Sequence, residues 1–285
     1  MKTMQFTRRQ FLKTTGALIV SFNLLPPSKK AWAQFAMLPS GDIDPTSLDS
    51  WLAITPDGLV TFYTSKVELG TGTITALAQI VAEELDIPFS KIKMDSGDTA
   101  RTIEQGSTIG SRTIERAGPQ VRQAAAAARQ QLLKLAAAQL NSPVETLTVV
   151  DGVVSDGAKK ISYGQLIGGK QFNTKITATG TGYDLKVAPE VKPKDPKDYK
   201  IVGQPLKRFE IPTQVTGEHE YIHNVRIPGM LHGRVVRPPV INTEPVSIDQ
   251  DSIKGISGVV MVVREGKFVG VVATNEWAAI KAAEA

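Results

Sequence analysis

The stretch SKVELGTGTITALAQIVAEELDIP, residues 65–88, limits the possible folds of this chain more than any other. A β-like run ends in Gly70-Thr71-Gly72, and an apolar stripe at helical spacing follows at once, formed by Ile74, Leu77, Ala78, Val81 and Leu85. The pattern predicts a helix over about 73–86, because the proline at 88 disfavours α geometry in the residue before it. We expect Thr71 or Thr73 to cap this helix.

A strand predicted over Lys91–Asp95 completes a strand–helix–strand unit, which we expect to be a split βαβ arrangement. The glycine turn before the helix can present backbone N–H groups and partial positive charge to an anion. The alternative is a tight turn whose glycines serve geometry alone. A dinucleotide fingerprint is not favoured, because Ile74 and Thr75 occupy the positions where its third glycine would lie.

A long polar loop, residues 96–118, follows the predicted strand. Its centre, Gln105 to Arg112, carries hydroxyls, glycines and one arginine, which can donate several hydrogen bonds to an oxygen-rich ligand. In a parallel pair of strands this loop would emerge at the same sheet edge as Gly70–Gly72, where α/β sheets bind ligands. The alternative is a mobile polar loop without a ligand.

Further elements are predicted around these loops. Residues Trp51–Glu68 alternate between apolar and polar side chains and are predicted to form a hairpin with its turn at Pro56-Asp57-Gly58. Asp151-Gly152 is predicted to form the turn of a second hairpin. An alanine-rich helix is expected over about 119–140, with Pro119 at its start. Residues 162–169 are expected to form one short helix.

Other candidate residues favour structural roles. Glu68 could act as a general base, but pairing with Lys66 or capping a turn is the favoured interpretation. His219 and His223 are four residues apart, about 13 Å on a strand, which is too far for one metal ion. His232 lies in a predicted strand, and no Ser–His–Asp set is present.

The charge of the chain is concentrated at its start. The formal net charge is +5, but residues 1–34 hold six basic residues and no acid, which leaves 27 basic against 28 acidic residues elsewhere. No basic stripe with interleaved aromatics supports nucleic-acid binding. The chain has no cysteine, which excludes disulfides, iron–sulfur ligation and a cysteine nucleophile within it.

The N-terminus predicts export. Arg8-Arg9 precede a short apolar stretch, and Ala31-Trp32-Ala33 resembles a cleavage site, so residues 1–33 are predicted to be a twin-arginine signal peptide and the protein periplasmic, exported already folded. The alternative is a short membrane anchor or a coincidental arginine pair. The apolar run of about ten residues is too short for a stable membrane span.

Composition predicts the domain boundaries. Residues 34–48 are expected to be a linker, 49–183 a first domain, and the Lys/Pro/Asp-rich residues 184–200 a second linker. The segment 201–285 carries three predicted strands, LHGRVV, GVVMVV and KFVGVVA, and a helix from Glu276. The chain stops within that helix, without a glycine cap or a proline. The fold class expected is α+β.

The long first motif, VELGTGTITALAQIVAEELDIPFSKIKMDSGDTARTIEQGSTIGSRT, resembles the molybdopterin-binding segment of the xanthine dehydrogenase/aldehyde oxidase family. Residues PTQVTGEHEYIHNVRIPGMLHGRVVRPPV and GKFVGVVATNEWAAIKAAEA resemble its α/β hammerhead domain. The order of the segments behind a twin-arginine leader is similar to the branch that contains the isoquinoline 1-oxidoreductase β-subunit and the nicotinate dehydrogenase B-subunit. The resemblance covers nearly the whole mature chain.

The resemblance implies a large molybdenum subunit that carries molybdopterin cytosine dinucleotide. It implies hydroxylation of a small-molecule substrate, an N-heterocycle or an aldehyde, with oxygen derived from water. It also implies a small [2Fe–2S] partner subunit and a cytochrome c acceptor. Gly70 and Gly72 match a Gly-Gln-Gly loop beside the molybdenum, with Thr71 in place of the glutamine and Thr73 next to it; Gly110, Ser111 and Arg112 match a second cofactor loop.

In the family, the catalytic glutamate and further glycine-rich cofactor loops lie far beyond the segments that this sequence resembles. We therefore expect an N-terminal part of a longer subunit, with a truncated hammerhead over 201–285, no catalytic residue and no protein ligand to the metal. Such a part would not catalyse the hydroxylation alone. The alternative is a non-catalytic periplasmic module that binds a small anion or assists assembly, and it would purify without molybdenum.

Overall fold

The computed structural model describes residues 43–188 and 191–285. The predicted signal peptide and most of the first linker lie outside these described residues. By its internal contacts the chain divides into two units, Met1–Phe209 and Glu210–Ala285. Both units mix helices and strands.

The larger unit is organised by a three-stranded sheet in the order β1-β2-β3. Strands β1 (Leu52–Ile54) and β2 (Val60–Thr64) form the predicted antiparallel hairpin. Strand β3 (Ile92–Ser96) pairs parallel with β2, and helix α1 (Thr73–Leu85) makes the crossover between them. The βαβ unit is confirmed, but its split form is wrong, because β2 and β3 exchange hydrogen bonds directly.

Helix α2 (Thr113–Leu140) begins six residues before the predicted start. Pro119 therefore lies inside the helix, where its missing N–H and its ring disfavour helical geometry by about 3 kcal/mol. Tertiary packing overrides this preference, because Ala117, Gly118 and Val121 are all buried. A side chain at Gly118 would lie 3.6 Å from Ile80 on α1, so the two helices approach closely at this point.

The remaining elements of the larger unit follow α2. In the hairpin of β4 (Thr148–Val150) and β5 (Val153–Ser155), the turn residues Asp151 and Gly152 have φ of 52° and 74°, the positive values of a type I′ turn. Strand β6 (Lys160–Ser162) extends this sheet, and α3 (Tyr163–Ile167) begins with a capping box. Strands β7 (Ala178–Thr179) and β8 (Lys186–Val187) form a short antiparallel pair.

One continuous core supports these elements. Its largest fully buried side chains include Trp51 just before β1, Phe62 of β2, Tyr163 of α3, and leucines of the two long helices such as Leu77 and Leu132. The Trp51 indole N–H is satisfied by the carbonyl of Pro45 at 2.9 Å. The three-stranded sheet and the loops at its carboxyl edge are therefore supported by a well-packed core.

Residues 184–200, predicted to be a linker, are bound to the larger unit. The buried carboxylate of Glu83 accepts hydrogen bonds from the backbone N–H groups of residues 200, 201 and 202, at 2.8, 2.6 and 3.0 Å. The ammonium of Lys194 pairs with Asp86 and lies 3.4 Å from Glu83. The division between the units accordingly falls after Phe209, beyond the boundary that composition predicted.

The smaller unit is an antiparallel sheet with one long helix. Helix α4 (Ile211–Thr216) precedes strands β9 (His232–Val236), β10 (Val259–Glu265) and β11 (Phe268–Ala273), which pair in the order β10-β11-β9. Helix α5 (Glu276–Glu284) packs on the sheet, and the Asn275 side chain caps it by accepting from Ala278 N–H at 2.9 Å. The three predicted strands and the helix are confirmed. Over the residues that the structure describes, no helix is both long and apolar enough to cross a membrane.

The contacts of Glu83 with Lys194 and residues 200–202 lead to a stability prediction. Burial raises the pKa of this carboxyl, but the three N–H donors and Lys194 outweigh burial and lower it below the ordinary 4.5. Because the folded-state pKa is lowered, the stabilisation is fully present above about pH 4.5 and is lost as pH falls through the folded-state value. Glu83→Gln should lower the free energy of unfolding by about 2 kcal/mol at pH 7, and the difference from the unsubstituted chain should shrink in acid.

Urea unfolding at pH 7 and below pH 4.5 measures this difference. Glu145→Gln is the matched control, because Glu145 is exposed and its substitution removes the same charge from the same unit. An equal loss of stability in both variants, or a Glu83→Gln effect independent of pH, would show that the Glu83 carboxylate does not stabilise the attachment of residues 194–202 to the larger unit.

Candidate functional site

Two loops meet at the carboxyl ends of the parallel strands β2 and β3. The first begins at Ser65 and leads into α1, and the second begins at Gly97 and leads into α2. Ser65 Oγ accepts from the Gln105 N–H at 3.0 Å, and the Val67 N–H donates to Thr108 Oγ1 at 3.0 Å. The predicted convergence of the two loops on one sheet edge is confirmed.

The first loop contains a carboxylate, Glu68, that binds the start of α1. Gly70 and Gly72 have φ of 90° and 76°, which glycine adopts without strain. The Glu68 carboxylate accepts from the Gly72 N–H at 2.8 Å and from the Ile74 N–H at 3.3 Å. The N–H groups of Gly72 and Ile74 at the start of α1 are therefore engaged by a side chain of the same loop.

Glu68 also replaces the predicted caps. The N-cap of α1 is Gly72, and the buried Thr73 hydroxyl has no hydrogen-bond partner among the described residues. Capping by Thr71 or Thr73 is thus wrong, because a carboxylate reaching back from Glu68 satisfies the first turn. The capping interpretation of Glu68 is confirmed, and its pairing with Lys66 is not.

The charge state of Glu68 follows from its contacts. Burial raises the pKa of the carboxyl, but backbone N–H donors at Gly72, Ile74 and Thr71 and the charge of Arg208 together lower it. The Arg208 guanidinium lies 3.5 Å from the carboxylate and donates to the Gly70 carbonyl at 3.1 Å. Glu68 is therefore ionised at neutral pH, but its lowered pKa makes it a weak base and its oxygens are already engaged by the loop and by Arg208.

The second loop differs at its helix start. Arg112 is the N-cap of α2, and it makes no side-chain cap hydrogen bond. Within the described part of the chain, the backbone N–H groups of Thr113, Ile114 and Glu115 have no hydrogen-bond partner. The preceding residues Gly110, Ser111 and Arg112 are exposed, and the first two have positive φ. Thr113 is buried and Glu115 places a carboxylate in the first turn, but Ile114 and Glu115 are exposed. This helix start can accept an external anion through its exposed N–H groups, the helix dipole and the adjacent guanidinium.

The structure holds the two predicted clusters on one edge without joining them directly. No hydrogen bond between described residues links Gly70–Thr73 to Gly110–Arg112; the loops are linked by residues 64–67 and 105–108. From the sequence, Gln105 is predicted as part of the second loop and Lys66 only as a possible partner of Glu68, so their role in linking the loops is missed. Tyr183, which contacts the second loop, is not singled out from the sequence.

The histidines lie in the smaller unit. The rings of His219 and His223 pack on Tyr221, with centroid distances of 4.7 and 5.8 Å, and His219 Nδ1 lies 3.1 Å from Thr213 Oγ1. His232 begins strand β9. Over residues 43–188 and 191–285, no group of three or more histidine, aspartate or glutamate side chains is arranged to hold a metal ion.

Comparisons with known proteins identify relatives of this chain. A family model described as the molybdopterin cofactor-binding domain matches residues 30–222. The B-subunit of nicotinate dehydrogenase from Pseudomonas putida is 38% identical over 97% of this chain and 23% of its own length. The beta subunit of isoquinoline 1-oxidoreductase from Brevundimonas diminuta is 28% identical over 100% of this chain and 40% of its own length.

A Cu,Mo-containing CO dehydrogenase structure aligns with 40% of this chain and 15% of its own, at 28% identity and a TM-score of 0.37. The chain spans between about a quarter and two fifths of the length of the two relatives described above.

Two matched substitutions test the capping of α1. Glu68→Gln should lower the free energy of unfolding by about 1 kcal/mol, because the neutral amide is a weaker acceptor for the N–H groups of Gly72 and Ile74. Thr73→Val should be neutral or slightly stabilising, because it removes a buried hydroxyl without a partner and keeps the shape. Urea unfolding measures both. If Thr73→Val costs as much as Glu68→Gln, the cap lies with the threonine instead.

Proposed function

Because this chain belongs to the molybdopterin cofactor-binding domain family, we propose that it is the N-terminal part of the large subunit of a molybdenum hydroxylase. The open start of α2 is the observation that carries this proposal, since it offers three unpartnered N–H groups beside Arg112. Its relatives support it, because they are a nicotinate dehydrogenase subunit and an isoquinoline 1-oxidoreductase subunit.

The two loops suit different parts of the cofactor. Gly110, Ser111 and Arg112 would hold its phosphates through backbone N–H groups, the serine hydroxyl and the guanidinium. Gly70, Thr71, Gly72 and Thr73 would lie beside its metal end, where the space next to Gly70 permits close approach and Thr71 offers a hydroxyl. The first loop would not hold phosphate through the N–H groups of Gly72 and Ile74, because Glu68 already accepts from them.

The bound cofactor supplies the chemistry: a substrate C–H group and water give a C–OH group, two protons and two electrons. The proposed substrates are an N-heterocycle or an aldehyde, and the proposed form of the cofactor is molybdopterin cytosine dinucleotide. In this chain we assign binding and orientation of the cofactor, and no catalytic residue. Residues 201–285 would form part of an α/β hammerhead domain.

The proposal includes partners and a location. The two electrons would leave through a small [2Fe–2S] subunit, which agrees with a chain that has no cysteine to hold such a cluster. A cytochrome c would accept them in turn. The arginine pair Arg8-Arg9 supports export by the twin-arginine route, in which the protein crosses folded, with its cofactor, into the periplasm.

A non-catalytic module that binds a small anion is the second candidate, and the same open helix start favours it. The two candidates differ in molybdenum content and in the reading frame. A frame that continues for several hundred codons past Ala285 to a glutamate near its end supports the hydroxylase. A stop codon there, with a molybdenum-free protein, supports the module.

Arg112→Ala tests the phosphate site. Pyrophosphate binding by the 285-residue chain, measured by calorimetry, should weaken by about tenfold, because a charge-assisted hydrogen bond is lost. Molybdenum and pterin content after production with the cofactor should fall in parallel.

Arg116→Ala is the matched control, since Arg116 lies one turn further along α2 and pairs with Glu115 at 3.5 Å. It removes the same charge and should bind pyrophosphate nearly as well as the unsubstituted chain. Equal losses in the two variants would point to general electrostatic attraction and would contradict a phosphate site at Arg112.

A further inference from the structure

We propose that Lys66 and Tyr183 are positioning residues, which together grip residues 105–107 and so fix the second loop in the shape that presents Gly110–Arg112 to a ligand. We call these two side chains the loop clamp. The inference rests on the proposed function for the identity of the ligand, but the grip itself is a property of the chain without ligand.

Lys66 is the main part of the loop clamp. Its side chain is 1% exposed, and its ammonium donates to three consecutive backbone carbonyls, those of Gln105, Gly106 and Ser107, at 2.7, 2.8 and 3.2 Å. An ammonium has three N–H donors, so this arrangement uses all of them. The curved conformation of the loop brings these three carbonyls to one point.

The charge of Lys66 is held by dipoles rather than by an acid. Among the ion pairs of the described residues, none includes Lys66. Burial lowers the pKa of its ammonium, partly opposed by the charge of Glu104. Since burying a charge is costly unless hydrogen bonds satisfy it, any opening of the loop would leave this ammonium short of acceptors. The loop therefore strongly favours the conformation in which its carbonyls surround the Lys66 ammonium.

Tyr183 grips the loop from its other side. Its hydroxyl donates to the Ser107 carbonyl at 3.2 Å, and the Lys66 ammonium lies 5.3 Å from its ring centroid, within cation–π range. A Cβ atom at Gly106, whose φ is +78°, would lie 2.6 Å from the ring. Gly106 is therefore required both by its backbone conformation and by the ring that covers it.

A buried amide network ties the gripped residues to α2. The Gln105 side chain accepts from Thr64 Oγ1 at 2.6 Å and donates to Gln120 at 2.8 Å, and Gln120 donates to the Leu185 carbonyl at 2.8 Å. Gln120 lies on α2, about two turns beyond Arg112. The loop is consequently fixed to β2 on one side and to α2 on the other, which leaves the exposed stretch from Ile109 to Arg112 for the ligand.

Lys66→Met tests the loop clamp, because it keeps most of the length of the side chain and removes the ammonium. Hydrogen exchange of the amides of Gln105 and Gly106, which donate to Ser65 and Glu104, should accelerate by about tenfold or more, while the amides of β2 keep their protection. The pyrophosphate affinity of the folded chain should fall by about tenfold, because the start of α2 is no longer held in place. Lys93→Met is the matched control, since Lys93 is exposed on neighbouring β3.

Chemical rescue separates positioning from folding. The chain has no cysteine, so Lys66→Cys creates one unique thiol. Alkylation with bromoethylamine in denaturant, followed by refolding, restores an ammonium at nearly the original position. Both protection and pyrophosphate affinity should return. A purely structural role would change the unfolding midpoint and leave the affinity of the folded molecules unchanged.

Three results would overturn the loop clamp. These are protection in Lys66→Met within about twofold of the unsubstituted chain, unchanged pyrophosphate affinity, and no recovery on aminoethylation. If Lys66→Met does not fold, Tyr183→Ala carries the test, because removing this partly exposed ring deletes no buried charge. Unchanged protection of the Gln105 and Gly106 amides in that variant then refutes the grip. If the unsubstituted chain binds no pyrophosphate, the proposed phosphate site fails, whereas the exchange data still decide the clamp.

Discussion

The parallel pairing of β2 with β3 is the constraint on which the site depends. Parallel neighbours need a crossover, and here α1 provides it, so the chain leaves both strands at the same sheet edge. The loops after these strands must therefore share one small region. Every predicted cofactor residue lies in one of these two loops or at the start of the helix that follows. The position of the site is thus a consequence of strand direction, before any particular side chain is considered.

The two helix starts at this edge illustrate two solutions to one electrostatic problem. A helix N-terminus leaves N–H groups without partners and carries partial positive charge. At α1 the problem is solved internally, because Glu68 accepts from Gly72 and Ile74. At α2 no internal acceptor is supplied by the described residues, and a guanidinium adds further positive charge. An external anion is favoured at the second start and opposed at the first, although both follow glycine-rich loops of similar appearance.

The sequence predicts the elements of this fold well because its patterns are local. The alternation of Val60 and Phe62 and the turn at Asp151-Gly152 depend on neighbours in the chain, and the hairpins are confirmed. The predicted start of α2 is wrong by six residues, because packing of Gly118 against α1 outweighs the local preference of Pro119. The role of residues 184–200 escapes prediction for a similar reason, since the groups that bind this segment, such as Glu83, lie more than a hundred residues away.

The same limit applies to the site. The glycines and Arg112 could be picked out from composition, but whether their N–H groups are available depends on Glu68, whose contacts are a matter of loop geometry. Lys66 did leave a signal in the sequence, because the alternation that buries Phe62 and Thr64 places it on the same face. A lysine on the buried face of a strand edge needs acceptors, and with no acid in position these must be backbone carbonyls. Such carbonyls are numerous only in a loop that doubles back. The buried lysine therefore specifies one loop conformation, which an apolar residue of equal size would not do.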